Sequence, residues 1–132
     1  MPIARPVVLV LDDDRTIREL VQEVLEEQGY AVEAAPTGSS GQARLEAGGI
    51  DLVVLDKLLP DRDGAEVCQW VRARERDAPA HLPIILVSAA LDEGAAAALR
   101  DAGADGYLPK PFDIDALIAA VRARLETTAP PQ

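Results

Sequence analysis

Four short apolar runs each end on a side chain able to do chemistry. Val7-Val8-Leu9-Val10-Leu11 leads into Asp12-Asp13-Asp14, and Leu52-Val53-Val54-Leu55 leads into Asp56. Ile84-Ile85-Leu86-Val87 leads into Ser88, and Tyr107-Leu108-Pro109 leads into Lys110. Carboxylates, a hydroxyl and an ammonium together suit a divalent metal ion and a phosphoryl group. Three or four carboxylates drawn close repel one another unless a cation joins them. Mg2+ fits such a set, since it takes an octahedron of oxygens, commonly one or two carboxylates with waters and a phosphate oxygen. A carboxylate such as Asp56 can also attack phosphorus as a nucleophile. Phosphoryl transfer then needs alignment and charge neutralisation above all. Lys110 can neutralise as a point charge, and it is one of only two lysines in the chain, with Lys57. Ser88 can donate to a phosphoryl oxygen. Plainer roles compete: acids ahead of a helix cap it, a strand-end serine bonds local backbone, and a lysine can be a surface charge. Acids at a second strand end make capping an incomplete account of Asp12 to Asp14.

The elements that must position these groups follow from pattern. Apolar runs of this length, rich in Val, Ile and Leu, read as strands buried on both faces of a parallel sheet. Open α/β sheets bind ligands beyond the carboxyl ends of their strands. Ile17, Leu20, Val21, Val24 and Leu25 form a helical stripe after the first acids, stopped at Gly29. Tyr30–Ala34 is the expected second strand. Thr37–Glu46 is the expected second helix, with a thin apolar face of Ala43, Leu45 and Ala47. Pro60-Asp61-Arg62-Asp63-Gly64 is a turn by composition, and the helix after it presents Val67, Cys68 and Val71. A fourth helix is expected from an Asp92 cap through Ala95 to Leu99. It should form well but anchor loosely, because alanine favours helix and fills a core poorly. A final helix capped by Asp113 carries Ile114, Leu117, Ile118, Val121 and Leu125. The pattern is five β-α units in one α/β domain.

Composition narrows the function. A chain of 132 residues reads as one domain. Its formal net charge of -10 and lack of a basic run disfavour nucleic-acid contact by this segment. A single cysteine, Cys68, cannot form an internal disulfide and fits a reducing compartment. The first apolar run is too short for a membrane span or a signal peptide core. The expectation is a cytoplasmic protein without membrane contact.

Taken together, Asp12-Asp13-Asp14 after the first strand, Asp56-Lys-Leu-Leu-Pro60-Asp-Arg-Asp63-Gly64, Leu-Val-Ser88-Ala89, and Tyr107-Leu-Pro-Lys110-Pro111-Phe112 resemble the receiver domain of two-component response regulators. The resemblance covers about residues 6 to 125 in order and spacing. It implies a doubly wound, five-stranded parallel sheet of flavodoxin-like (βα)5 type, strand order 2-1-3-4-5, over residues 1–125. Residues 126–132 would be a C-terminal tail or the start of a linker. It implies that Asp56 is the phosphoacceptor, served by a sensor histidine kinase or a phosphotransfer protein. Asp12, Asp13, Asp56 and the backbone carbonyl of Leu58 would hold Mg2+, and Lys110 would pair with the phosphoryl oxygens. Ser88 and Tyr107 would be the switch residues, and the Lys110-Pro111 bond is a candidate for the cis form. The switch would reshape the face made by the fourth helix, fifth strand and fifth helix, for an output domain or docking partner. Such a domain catalyses only its own phosphorylation and dephosphorylation.

Some positions depart from that family's usual pattern. Lys57 stands where a large apolar residue is common; it is expected to run to solvent, the other possibility being attraction of anionic phosphodonors. Leu58 and Ala90 flank the site and cannot hydrogen-bond an attacking water, so slow hydrolysis of an aspartyl-phosphate is expected. His81, in the loop from Arg74 to Leu82, is expected to be exposed and not a ligand. Cys68 is expected to fill core and Trp70 to pack partially. Two other functions fit parts of the chain. A haloacid-dehalogenase-type phosphatase would use Asp12 as nucleophile and Asp14 as acid/base, but it leaves Asp56 and the Pro60–Gly64 turn unexplained. A receiver-like scaffold that is never phosphorylated needs none of Asp12, Asp13, Asp56, Ser88 and Lys110 together. The identity of the phosphorylated carboxylate separates the first, and the absence of any mass change with a phosphodonor the second.

Overall fold

The computed structural model describes residues 5–76, 81–89, 97 and 100–126. Five parallel strands form one sheet: β1 (Val7–Leu11), β2 (Ala31–Ala35), β3 (Leu52–Asp56), β4 (Ile84–Ser88) and β5 (Gly106–Pro109). Their order is β2-β1-β3-β4-β5. Helices α1 (Arg15–Glu27), α2 (Gly38–Glu46), α3 (Gly64–Glu75) and α4 (Ile114–Glu126) connect or follow them. This is the doubly wound, flavodoxin-like arrangement expected. The alanine-rich helix expected between Asp92 and Leu99 falls largely outside the described residues, as do Ala90, residues 77–80 of the Arg74–Leu82 loop and residues 127–132.

Strand alternation explains why the apolar runs are continuous. Val8, Val10, Leu52, Val54, Ile85 and Val87 point to one face, where Val21, Leu25, Leu117 and Val121 of α1 and α4 cover them. Leu9, Leu11, Val53, Leu55, Ile84 and Leu86 point to the other, under Val67, Cys68 and Val71 of α3. Successive strand residues alternate faces, so a strand covered on both sides must be apolar at every position.

The helices depart from the expected stripes in two places. Leu20 in α1 is 40% exposed; Val21 and Leu25 are the fully buried members of that stripe. In α2 the expected face is only partly used: Leu45 packs against the α3-side core, Ala43 and Ala47 are exposed, and the fully buried residues are Gly38 and Gly41. A Cβ on Gly41 would lie 2.1 Å from Leu11 Cδ2, so α2 approaches β1 backbone-first. The reason is space: a helix with little apolar bulk gains contact only by coming close.

Candidate functional site

Sheet register brings the four strand ends together. Leu11 pairs with Leu55, which puts Asp12 level with Asp56 across β1 and β3. Asp56 pairs with Val87 on β4, and Ser88 pairs with Pro109 on β5, with Lys110 next along the chain. β1 is flanked by β2 on one side and β3 on the other, so the chain leaves this edge in two directions. Such a reversal opens a crevice at the carboxyl ends of the strands.

Asp12, Asp56 and Ser88 are the buried polar residues among those described, at 3%, 5% and 4% exposure. Burying two carboxylates requires compensation. Lys110 Nζ supplies it, 3.0 Å from Asp12 Oδ2 and 3.1 Å from Asp56 Oδ2. The second oxygens are met by backbone: Asp14 N donates to Asp12 Oδ1 at 2.9 Å, and Leu58 N donates to Asp56 Oδ1 at 3.2 Å. Burial pushes the Asp56 carboxyl above its ordinary range; Lys110 and the Leu58 amide pull it back, and the Asp12 charge adds to the rise. Burial works against the Lys110 ammonium, but the Asp12 and Asp56 carboxylates outweigh it and hold that group above the usual lysine value.

Asp13 is exposed, yet carboxylate oxygens of Asp12, Asp13 and Asp56 all lie within 4.8 Å of one another. Three carboxylates face one ammonium there, an arrangement short of positive charge. All-oxygen donors of this kind suit a hard divalent cation such as Mg2+. Leu58 forms an isolated bridge with Asp63, and its side chain is largely exposed beside the site. Ser88 accepts Lys110 N through its carbonyl at 2.9 Å, and the Lys110-Pro111 bond is cis. Tyr107 is partly buried against the α3-side core. Asp14 turns away to cap α1, its Oδ1 accepting from Thr16 N at 2.9 Å and Ile17 N at 3.4 Å. That use leaves a phosphatase acid/base role for Asp14 without support.

Several supporting contacts were not visible in the sequence. Arg18 Nη1 donates to the Asp12 carbonyl at 2.7 Å, one turn into α1. Asp61 in the β3–α3 loop caps a different helix: its carboxylate accepts from Gly38 N at 2.8 Å and Ser39 N at 2.9 Å at the start of α2. Those amides hold the Asp61 carboxyl below the usual range. Gly64 answers a close approach that the turn composition only hinted at, since a Cβ there would lie 2.5 Å from the Asp56 carbonyl oxygen. Lys57 does not run to solvent as expected; its Nζ pairs with Asp63 Oδ2 at 2.7 Å. His81 is exposed as expected, and its Nε2 lies 2.6 Å from Asp105 Oδ1. Cys68 is fully buried, and burial pushes its thiol up to about 11. Trp70 is partly buried, with the Arg74 guanidinium 4.7 Å over its ring.

Known proteins share both the sequence and this geometry. The chain is 42% identical over 123 residues to the response regulator MprA of Mycolicibacterium vanbaalenii, covering 93% of this chain. It spans about half the length of that relative, 52%. The receiver domain of the Francisella response regulator 1452 superposes with a TM-score of 0.87 at 30% identity, covering 94% of this chain and 99% of that one. The chemotaxis protein CheY4 of Vibrio cholerae superposes with a TM-score of 0.84 at 28% identity, over 92% of this chain and 100% of that one. Residues 8–122 match the family model of the response regulator receiver domain. With its acidic edge and 2-1-3-4-5 sheet set beside that match, the chain belongs to the response regulator receiver domain family.

Proposed function

We propose that this domain receives a phosphoryl group on Asp56 from the phosphohistidine of a sensor histidine kinase or phosphotransfer protein. The observation that carries the reading is Lys110 Nζ bridging two buried carboxylates, Asp12 and Asp56, beside a third at Asp13. An Asp56 carboxylate oxygen would form the new O–P bond as the donor's N–P bond breaks, leaving the histidine imidazole behind. Lys110 would follow the charge onto the phosphoryl oxygens, and the Ser88 hydroxyl would donate to one of them. Asp12, Asp13, Asp56 and the Leu58 carbonyl would hold Mg2+. When bound, the ion neutralises the phosphoryl oxygens. No turnover of a separate substrate is involved.

The consequence would be a change at Ser88 and Tyr107, carried to the face of β5, α4 and the segment between Ser88 and Gly106. A partner or an output domain would read that face. The family match over residues 8–122 supports residues 1–125 as the receiver unit, with 126–132 as a tail or the start of a linker. Intact mass after treatment with acetyl phosphate and Mg2+ tests the chemistry. Wild type should gain one phosphoryl group, and Asp56→Asn should gain none. Equal gain in both proteins would remove Asp56 as the acceptor, and no gain in wild type would favour a scaffold.

A further inference from the structure

Lys57 directly follows the proposed acceptor, yet its ammonium is committed to Asp63 Oδ2 at 2.7 Å. Asp63 is itself fixed, because its Oδ1 caps α3 through the Ala65 amide at 2.8 Å. Backbone contacts run alongside this ion pair. Leu58 and Asp63 pair as an isolated antiparallel bridge, and Gly64 N donates to the Lys57 carbonyl at 2.6 Å. The Lys57–Asp63 pair therefore crosses the neck of a loop whose tip, at Asp61, is tied to the first amides of α2. Leu58 lies inside that neck. Its amide donates to Asp56 Oδ1 at 3.2 Å, and its carbonyl is the backbone ligand of the proposed metal seat. A slip of the neck would move both at once.

Energetics alone do not account for this lysine. A cation beside a helix N-terminus meets the positive end of the helix dipole. The pair is partly exposed, at 27% and 38%, where ion pairs add little stability. Its effect is geometric: a flexible stem after Asp56 is clamped to the rigid start of α3. We propose that Lys57 is a positioning residue for the metal seat, holding Leu58 in register beside Asp56 through Asp63. This rests on the metal-site reading above.

Titration calorimetry of the whole chain with Mg2+, alongside melting in metal-free buffer, tests it. Lys57→Met and Lys57→Gln should each bind Mg2+ about tenfold more weakly, the lower end of the effect of losing an outer partner of a metal ligand. Lys57→Arg keeps a cation within reach of Asp63 and should recover most of the affinity. Metal-free melting should change little in any of the three. Unchanged affinity in Lys57→Met and Lys57→Gln, or equal loss in Lys57→Arg, overturns the latch and leaves the metal site standing. Failure of wild type to bind Mg2+, or binding insensitive to Asp56→Asn, overturns the metal site and the latch with it.

Discussion

Asp56 is a carboxylate kept out of water beside a second one, and its chemistry depends on that placement. Burial raises its proton affinity first, and the Asp12 charge adds to it. For an acid whose folded value is raised, ionisation works against the fold. The relative stability it contributes is present at low pH and is lost as pH rises through the folded value. In metal-free buffer at neutral pH, Asp56→Asn should therefore melt higher than wild type, because the amide keeps the shape and loses the charge. The gap should close as pH falls from the raised folded value toward 3.8, the ordinary value for this group. A gap that stays constant with pH would mean that charge is not its source. At this scale the site was legible: Asp12, Asp56, Ser88 and Lys110 each end an apolar run, and register alone aligns such ends. Arg18, Asp61 and the Lys57–Asp63 pair were not legible. Arg18 meets a backbone carbonyl, Asp61 caps a helix 23 positions back, and Lys57 pairs across a loop whose closure no periodicity encodes.

α2 shows how an element can be held with little apolar surface. Its N-cap Thr37 forms a reciprocal capping box with Ser40, and Asp61 supplies further acceptors from another loop. Its closest approach to the sheet is at a glycine, with Leu45 adding apolar contact. Replacing Gly41 by Ala sets two effects in opposition. Helix propensity favours Ala by about 1 kcal/mol in a helix interior. Against that, the new methyl would fall 2.1 Å from Leu11 Cδ2, on a side chain buried to 1% exposure that has no room to yield. Overpacking of that kind costs about 1–3 kcal/mol, so Gly41→Ala should lower the denaturant midpoint. A higher midpoint would mean that α2 can lift from β1 freely. The same contact explains why sequence placed the helix correctly and its face only in part: Leu45 packs on the core, whereas Ala43 and Ala47 do not. Apolar periodicity finds side chains that fill space, whereas the fully buried residues of α2 are the glycines Gly38 and Gly41. α1, α3 and α4 were read correctly at Val21, Leu25, Val67, Cys68, Val71, Leu117 and Val121, because those faces are built from bulk.

Across the whole molecule, the two edges of the sheet carry opposite tasks. Among the described residues, the carboxyl edge gathers acids with the ammonium groups of Lys110 and Lys57. Near the starts of β4 and β5, Arg72 joins Asp105 at 2.7 Å and Glu75 at 2.9 Å, while Asp105 Oδ2 also accepts Ile84 N at 2.8 Å. That second network ties α3 to both strands, and its partners lie 33 positions apart, beyond any local pattern. Between the edges, two apolar layers share one sheet, and each strand contributes alternate residues to both. Damage to one layer should therefore be felt in the other. Leu117 is fully buried in the layer beneath α1 and α4, whereas Trp70, the sole tryptophan, packs against the layer beneath α3. Leu117→Ala should cost about 2–5 kcal/mol through lost contact and a residual cavity. If the domain unfolds as one cooperative unit, as most of this size do, Trp70 fluorescence and far-UV circular dichroism should shift by the same amount in urea. A Trp70 transition that stayed at its wild-type midpoint would show that the α3 layer melts separately, and that the sheet does not couple its two faces.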